Sequence, residues 1–451
     1  MLVYKKLLNA TEAEASEYWL AVYSLQSDQR KSITTDKQGN AIVAAIQESV
    51  GPSVTKIALD SSVLWSKSLA GSPAVYNGGI AANGQGIFLA GRQGSSSASE
   101  ETSALLVNFG KSGSTTWPRS LNNTDISSDL YGDLFKDCEV DASGNIIAAG
   151  NKNAGVGSAD GLIAKYNSSG TLQWQRALTG DSPIEISSVG VDTSGKIMVA
   201  FRAVGVGGSG SKYSFVRYDA DGTKSSVYTY GNTSTSTTID GGGVRVRGDS
   251  LGNFIASGTI QDGASPTNPI KTFVSKIGPS SITWSREFYD TTSDSRVYVE
   301  DLTCDRFGNI YVCSRYIEDY SAASGDYITI VAKYNSSGTL QWQKAISHTS
   351  SSGLLPLGIT TANNGDVYFC GSVYEGAGYA QLVVIKLPPS GSANGTYGNF
   401  TIANGSLTEA TSSVAIGSDT FTGSTPTLTS ATPSIVTTSR TVTKTSYTIT
   451  T

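Results

Sequence analysis

Short apolar runs separated by turn-forming residues fill most of the chain. Examples are NIIAAG, NFIASG, NIYVCS and DVYFCG, which end at Gly150, Gly258, Ser314 and Gly371. Runs this short, rich in β-forming residues and bounded by Gly, Asn and Asp, are typical of strands that are buried on both faces. The pattern therefore predicts an all-β chain made of many short strands.

A five-residue turn, written D-x-x-G-N in its fullest form, comes directly before such runs. It begins at Asp36, Asp141, Asp249 and Asp305, a close variant begins at Asp192, and weaker versions occupy 82–86 and 362–366. The Asp side chain caps the reversing backbone, and Gly followed by Asn supplies the positive φ that a hairpin requires. We therefore expect each turn to link two strands.

Two distant segments of the chain are nearly identical. One reads AKYNSSGTLQWQRAL from Ala164, and the other reads AKYNSSGTLQWQKAI from Ala332, 168 residues later. A period near 56 leaves room for two intermediate copies, and these lie around Arg217 and Lys276. The aromatic residue of this motif, or its substitute, falls at Trp19, Trp65, Trp117, Trp174, Tyr228, Trp284 and Trp342. Four strands per repeat and seven copies predict a seven-bladed β-propeller.

A basic residue marks the third strand of most repeats, before the strand that holds the tryptophan. It is found at Lys56, Lys165, Arg217, Lys276, Lys333 and Lys386, and Asn108 is the exception. We expect its stem to lie on the neighbouring blade while its amine reaches solvent. A ring of these amines that binds an anionic ligand is the alternative.

The first tryptophan suggests how the ring closes. SEYWLAVYSLQ, around Trp19, reads as an isolated fourth strand, whereas the seventh repeat loses its tryptophan after Lys386 and continues into PPSGSANG. Residues 17–26 are therefore predicted to complete the blade that begins near residue 354. The resulting division is an N-terminal stub (1–16), a propeller (17–388) and a C-terminal arm (389–451).

The arm has a different composition from the repeats. Its last 32 residues contain 14 threonines and little charge. Disorder is one interpretation of this low complexity. Alternating Thr, Val, Ile and Tyr are strand formers, however, and an isolated strand needs a partner edge. We therefore expect a β-type arm that pairs with another subunit.

Composition and charge exclude several classes of function. The net charge of −5 gives no reason to expect nucleic acid as a partner. No stretch is apolar enough for membrane insertion, and the first residues lack a secretory signal, so synthesis in the cytoplasm is expected. The cysteines, Cys138, Cys304, Cys313 and Cys370, are too dispersed for metal-ligand spacing and are expected to be buried free thiols. We therefore predict no metal and no cofactor.

Few residues suggest catalysis. The single histidine, His348, lies in a SHTSSSG segment without a nucleophile motif and is expected at the surface. The repeated aspartates are explained by turn capping. Arg247-Gly248-Asp249 matches an adhesion tripeptide by chance, since Asp249 begins a turn, and residues 219–222 (DADG) lack the remaining ligands of a calcium loop and form a hairpin turn. We therefore predict no catalytic residues and no enzymatic activity.

The repeats resemble bacterial β-propeller repeats of the form D-x-x-G-N-hydrophobic-V-x-G followed by K-Y-x-x-x-G-x-x-x-W, over residues 17–388. The Thr-rich end resembles tail-associated structural (virion) proteins of marine bacteriophages, including cyanophages. These resemblances imply a structural component of a virion, associated with the tail, baseplate or fibre and active in host attachment. The arm would anchor it to other virion proteins or to copies of itself, and the propeller would decorate the particle or bind a host-surface glycan or protein. A bacterial surface carbohydrate-binding propeller and a propeller lyase or glycosidase are the alternatives.

Overall fold

The computed structural model describes residues 18–26, 32–47, 51–70, 75–94, 102–122, 133–152, 159–180, 183–203, 212–231, 243–261, 269–292, 294–320, 327–349, 353–374, 380–412, 415–417, 422–424, 429–431, 436–439 and 444–449. Regular structure in these ranges is entirely β, which confirms the all-β class. None of these residues forms a helix that is long and apolar enough to cross a membrane. The predicted stub, 1–16, lies outside the described residues.

The strands group into antiparallel units of four, numbered 1 to 7 along the chain. The first strand of the chain, β1 (Tyr18–Gln26), belongs to the last unit. Unit 1 contains β2 (Ser32–Thr35), β3 (Ala41–Gln47), β4 (Gly51–Ile57) and β5 (Val63–Ala70). Unit 2 contains β6 (Val75–Ala82), β7 (Ile87–Gln93), β8 (Ser103–Phe109) and β9 (Thr115–Asn122). Unit 3 contains β10 (Leu134–Val140), β11 (Ile146–Lys152), β12 (Asp160–Tyr166) and β13 (Leu172–Thr179).

The remaining units have the same order. Unit 4 contains β14 (Ile184–Val191), β15 (Ile197–Ala203), β16 (Lys212–Tyr218) and β17 (Lys224–Gly231). Unit 5 contains β18 (Arg245–Gly248), β19 (Phe254–Gln261), β20 (Ile270–Ile277) and β21 (Ile282–Tyr289). Unit 6 contains β22 (Arg296–Cys304), β23 (Ile310–Ile317), β24 (Ile328–Tyr334) and β25 (Leu340–His348). Unit 7 contains β26 (Leu355–Thr361), β27 (Val367–Tyr374), β28 (Ala380–Leu387) and β1.

The N-terminal strand completes unit 7. β1 pairs with β28 in antiparallel register, with Trp19 opposite Lys386 and Val22 opposite Val383. The prediction that residues 17–26 join the segment beginning near residue 354 is therefore confirmed for the described part, 18–26. Unit 7 is thus built from both ends of the repeat region.

The units follow one another in a cycle. The first strand of each unit contacts the first strand of the next, in the order β2, β6, β10, β14, β18, β22 and β26, and β26 contacts β2. Apolar side chains fill the spaces between neighbours; one cluster joins Ile42 and Leu69 of unit 1 to Leu89 and Val107 of unit 2. The architecture is a β-propeller-like all-β repeat in which the core is divided among the interfaces between units.

The C-terminal arm adds a further strand to the outer edge of each unit. After a hairpin of β29 (Gly395–Tyr397) and β30 (Phe400–Asn404), its strands are β31 (Thr408–Thr411), β32 (Ala415–Gly417), β33 (Thr422–Ser424), β34 (Thr429–Ala431), β35 (Val436–Ser439) and β36 (Lys444–Ile449). From β30 onward they pair antiparallel with β25, β21, β17, β13, β9, β5 and β1 in turn. The expected partner edges are therefore supplied by the chain itself, and pairing of the arm with another subunit stays a prediction.

Candidate functional site

A cavity of about 300 Å³ lies where the first strands of the units meet. Several of these strands carry a register shift, for example between Phe135 and Asp137 in β10 and between Val299 and Asp301 in β22. Such a bulge turns an extra side chain away from the ladder. The cavity is lined by Ser32, Gly78, Gly79, Leu134, Phe135, Lys136, Asp137, Ser187, Arg245, Arg247, Glu300, Asp301 and Leu357.

Arg247 links four neighbouring units beside this cavity. From β18 of unit 5, its Nη1 donates to Oδ2 of Asp137 at 2.9 Å and to Oγ of Ser188 at 2.8 Å. Its Nε lies 3.1 Å from Oε1 of Glu139, and its Nη2 lies 3.4 Å from Oδ1 of Asp301. Asp137 and Glu139 belong to unit 3, Ser188 to unit 4 and Asp301 to unit 6. We call Arg247 and its three carboxylate partners the axial ion cluster.

The carboxylates of the axial ion cluster outnumber its one guanidinium. Burial raises the pKa of Glu139 to about 7, although Arg247 opposes the shift. Burial also raises the pKa of Asp301, again against the effect of Arg247. Burial alone lowers the pKa of Arg247, but Asp137 and the other carboxylates raise it well above its ordinary value. The cluster is therefore a tightly coupled ionic link in which Glu139 and Asp301 hold protons more readily than in water.

The cluster has a limited chemical repertoire. Carboxylates that lie beside a cavity and have shifted pKa values are candidates for acid–base catalysis. Here, however, Oδ2 of Asp137 also accepts from the backbone N–H of Val189 at 3.1 Å, and Oδ2 of Asp301 accepts from that of Ile359 at 3.1 Å. Each aspartate thus bridges from its own unit to the next. Within the described ranges, no group of three or more His, Cys, Asp or Glu is placed to hold a metal ion. The arrangement best suits a link between units.

The turn aspartates cap their own turns as predicted. In the second full copy, Oδ1 of Asp141 accepts from the backbone N–H groups of Ser143 at 2.9 Å and Asn145 at 2.8 Å. Asp36, Asp192, Asp249 and Asp305 accept equivalent bonds. The positive φ falls on the glycine alone, as at Gly144 with φ +83°. The following Asn145 instead donates its side-chain amide to Oδ2 of Asp141 at 2.8 Å, because an L-residue avoids the left-handed region when a glycine can occupy it.

The prediction that the third-strand lysine exposes its amine is wrong. In five of the six units that carry it, the basic residue is buried and forms an ion pair with the aspartate of its own unit's turn. The N···O distances are 2.8 Å for Lys56–Asp36, 3.0 Å for Lys165–Asp141, 3.7 Å for Arg217–Asp192, 2.9 Å for Lys276–Asp249 and 3.1 Å for Lys386–Asp366. A buried carboxylate with only backbone donors would keep its charge poorly compensated, so the cation completes the turn. Lys333 instead donates to the carbonyl of Pro389 at 2.8 Å.

The aromatic landmark links each unit to the next. In unit 3, Nε1 of Trp174 donates to the carbonyl of Ala220 in the turn between the third and fourth strands of unit 4, at 3.2 Å. The same donor bond runs from Trp19 to Leu59, from Trp65 to Lys111, from Trp117 to Ser168, from Trp284 to Ser336 and from Trp342 to Pro389. Gly222 packs on the Trp174 ring, where a Cβ would approach to 2.8 Å. At this junction the aromatic contact leaves no room for a side chain on the partner turn, whereas Ser61 takes the glycine's place in the turn that Trp19 contacts, with φ +68°.

Tyr228 makes this contact from a shifted position. Lys165 lies opposite Trp174 in unit 3, whereas Arg217 lies opposite Ser226 in unit 4. Ser226 thus occupies the tryptophan position, and Tyr228 follows two residues later. Its longer reach lets the Tyr228 hydroxyl donate to the carbonyl of Pro279 at 2.7 Å.

The other candidates have structural surroundings. His348 is buried rather than at the surface, and it packs edge-on against Phe400 of the arm at 4.5 Å between ring centroids. Cys138, Cys313 and Cys370 are buried and form no disulfide, as predicted, while Cys304 is only partly buried. Residues 219–222 form the predicted turn, in which the N–H of Gly222 donates to the carbonyl of Asp219 at 2.9 Å. Of the adhesion-like tripeptide, Arg247 belongs to the axial ion cluster and Asp249 caps its turn.

Sequence reasoning missed the axial ion cluster. Asp137, Ser188 and Asp301 each lie four residues before a turn aspartate, so they occupy one repeat position. A polar residue at a fixed offset within an apolar strand is the signal that could have identified them.

The chain matches no protein-family model, and no curated protein is significantly similar to it in sequence.

Proposed function

We propose that the units are the blades of a closed seven-bladed β-propeller and that the chain is a non-enzymatic structural component of a phage virion. In this proposal it is associated with the tail, baseplate or fibre, and its partners are other virion proteins and a host-surface glycan or protein. The C-terminal arm acts as part of the assembly surface. The cyclic contact of the first strands, including β26 with β2, supports the closed ring.

The main support for a structural function is that the repeated polar residues form contacts within and between the units. The turn aspartates pair with buried cations, the tryptophans join neighbouring units, and Arg247 ties units 3, 4, 5 and 6 together. These contacts fix the turns and the positions of neighbouring units. Buried networks of hydrogen bonds and ion pairs make a fold rigid, and a rigid fold suits a component of a particle under mechanical load.

Mass spectrometry of purified particles, compared with host membrane and soluble fractions, tests the virion proposal. We expect the protein in particles at a fixed ratio to tail proteins and resistant to a salt wash. Its absence from particles, with recovery in the membrane fraction, would refute the proposal.

The axial cavity favours carbohydrate binding as a second candidate. Lys136, Ser187, Arg245 and Glu300 offer hydrogen-bonding groups around about 300 Å³, a volume that suits a small sugar. A glycan array with the intact protein and with Ser187→Trp, which fills the cavity, tests whether this cavity binds sugar. Binding that Ser187→Trp abolishes supports the carbohydrate function, and equal profiles for both proteins contradict it.

A further inference from the structure

The strands of the arm meet every unit in the same register. The reference point is the residue opposite the third-strand basic position, which is Trp65 in unit 1, Ser226 in unit 4 and Trp284 in unit 5. Five residues after it, Ala70 lies opposite Val436, Gly231 opposite Ala415 and Tyr289 opposite Thr408. The same offset places Thr422 opposite Thr179, Thr429 opposite Asn122 and Thr401 opposite Ser347.

The arm sequence has a period that equals this spacing. The residues in that register, 401, 408, 415, 422, 429 and 436, are seven apart, and β36 continues the series because Lys444 lies opposite Tyr23, four residues after Trp19. We call each block of seven residues that starts in this register a heptad, from 401–407 to 443–449. The heptads share side-chain classes: the third residue is Ala, Gly, Ser or Thr, and the sixth is Ser or Thr. The seventh, at 407, 414, 421, 428, 435, 442 and 449, is always Leu, Val, Phe or Ile.

The first of these seventh residues shows what it contributes. Leu407 is 8% exposed and belongs to the hydrophobic cluster that includes Phe288 of unit 5 and Tyr334 of unit 6. It therefore lies where the arm passes from one unit to its neighbour. Gln343 of unit 6 donates from Nε2 to the Leu407 carbonyl at 3.0 Å, which fixes the backbone there. One heptad thus combines a strand for one edge with an apolar residue at the following interface.

We propose that the outer edge of each four-stranded unit is a docking site for one heptad of this type, and that the heptads of residues 401–449 are interchangeable ligands of these sites. A fully extended heptad spans about 23 to 25 Å, which is the length of chain available for each step from one unit to the next. Backbone pairing supplies binding that does not depend on side-chain identity, and the shared side-chain classes set the register. The partner of each edge is this chain's own arm.

Deletion of one whole heptad, residues 422–428, from the full chain tests interchangeability by hydrogen exchange with mass spectrometry. Residues 429–435 then move to the edge of β13, each later heptad moves by one unit, and β1 is left without its outer partner. We expect the β13 amides to stay protected and the β1 amides that face β36 to exchange at least tenfold faster. Faster exchange at β13 with unchanged β1 would show that each heptad belongs to one unit and would overturn the proposal.

Two further variants of the full chain complete the test. Replacing residues 422–428 with seven Gly and Ser residues keeps the length of the arm but removes its apolar seventh residue and its β-forming threonines. Protection should therefore fall at β13 and remain at β1. Exchanging residues 408–414 with 429–435 should leave all outer strands protected. Loss of protection at β21 and β9 in the exchange variant would contradict interchangeability even if the deletion variant failed to fold.

Discussion

The ion pair between Asp249 and Lys276 offers the sharpest test of the turn geometry. Both side chains are almost fully buried, with 0% of Asp249 and 8% of Lys276 exposed, and Nζ lies 2.9 Å from Oδ2. Asp249→Asn keeps an acceptor for the backbone N–H groups of Leu251 and Asn253. It leaves Lys276 charged, buried and without a carboxylate. Removing one partner of a buried pair costs about 3–5 kcal/mol, so we expect a loss of that size at pH 7.

The assay is urea unfolding followed by tryptophan fluorescence, for the wild type, Asp249→Asn, Lys276→Met and the double variant. We expect the double variant to be more stable than either single variant, because no buried charge then lacks a partner. Asp221→Asn is the control, since Asp221 lies in an exposed turn and should change nothing measurable. Additive single effects, or a loss below about 1 kcal/mol for Asp249→Asn, would refute the assigned ion pair.

The same pair has a defined pH dependence. Burial opposes ionisation of Asp249, but hydrogen bonds from Lys276 and Asn253 lower its pKa below the ordinary value. A carboxyl with a lowered folded-state pKa stabilises the fold above its unfolded pKa and loses this effect as the pH falls through the folded value. The difference between the wild type and Asp249→Asn should therefore shrink below about pH 4.

Three other predictions concern the cluster, the aromatic contact and the arm. Because burial raises the pKa of Glu139 to about 7, the folded state binds one proton more than the unfolded state between the ordinary glutamate pKa and pH 7. The free energy of unfolding that this group contributes should rise by about 2 kcal/mol as the pH falls from 8 to 5.5, and the urea midpoint of Glu139→Gln should depend less on pH across that range. Tyr228→Phe removes the hydroxyl that donates to Pro279 and should cost about 1 kcal/mol in the same assay, against no change for Tyr374→Phe, whose ring is exposed. Deletion of residues 395–451 uncovers the outer strand edges, so light scattering should detect association of the truncated chain; a stable monomer would contradict this expectation.

The repeat and its turns could be predicted from the sequence because the residues that form each turn are close together in the chain. Asp141, Gly144 and Asn145 act within five residues, so their roles follow from their order. Trp19 was recognisable as part of the missing fourth strand because its segment precedes the turn at Asp36 as the segment of Trp342 precedes the next turn. Partners that are distant in sequence were not readable in this way. Nothing near Lys276 shows that its amine meets Asp249, which is recognisable only once the third strand is known to lie beside the turn.

The contacts of the axial ion cluster and the seven-residue period of the arm were not predicted from the sequence, for different reasons. Arg247 meets Asp137 across 110 residues, and a bulge in β10 sets the direction of that carboxylate. A register shift of one residue reverses the face of every following side chain, so such contacts depend on detail that a repeat alignment hides. In the arm, the prevalence of threonine masked the seven-residue period, although the apolar residues at its seventh positions were visible in the sequence.

The tryptophan contact gives every junction between units a direction. One unit always contributes the indole, or the Tyr228 hydroxyl, and the following unit always contributes the carbonyl of its turn. Such a junction is heterologous, because its two sides are different surfaces. A fragment of a few units therefore exposes an unfilled donor side at one end and an unfilled acceptor side at the other. Fragments of this kind should join head to tail, and the rotation between neighbours decides whether they close into rings or extend as filaments.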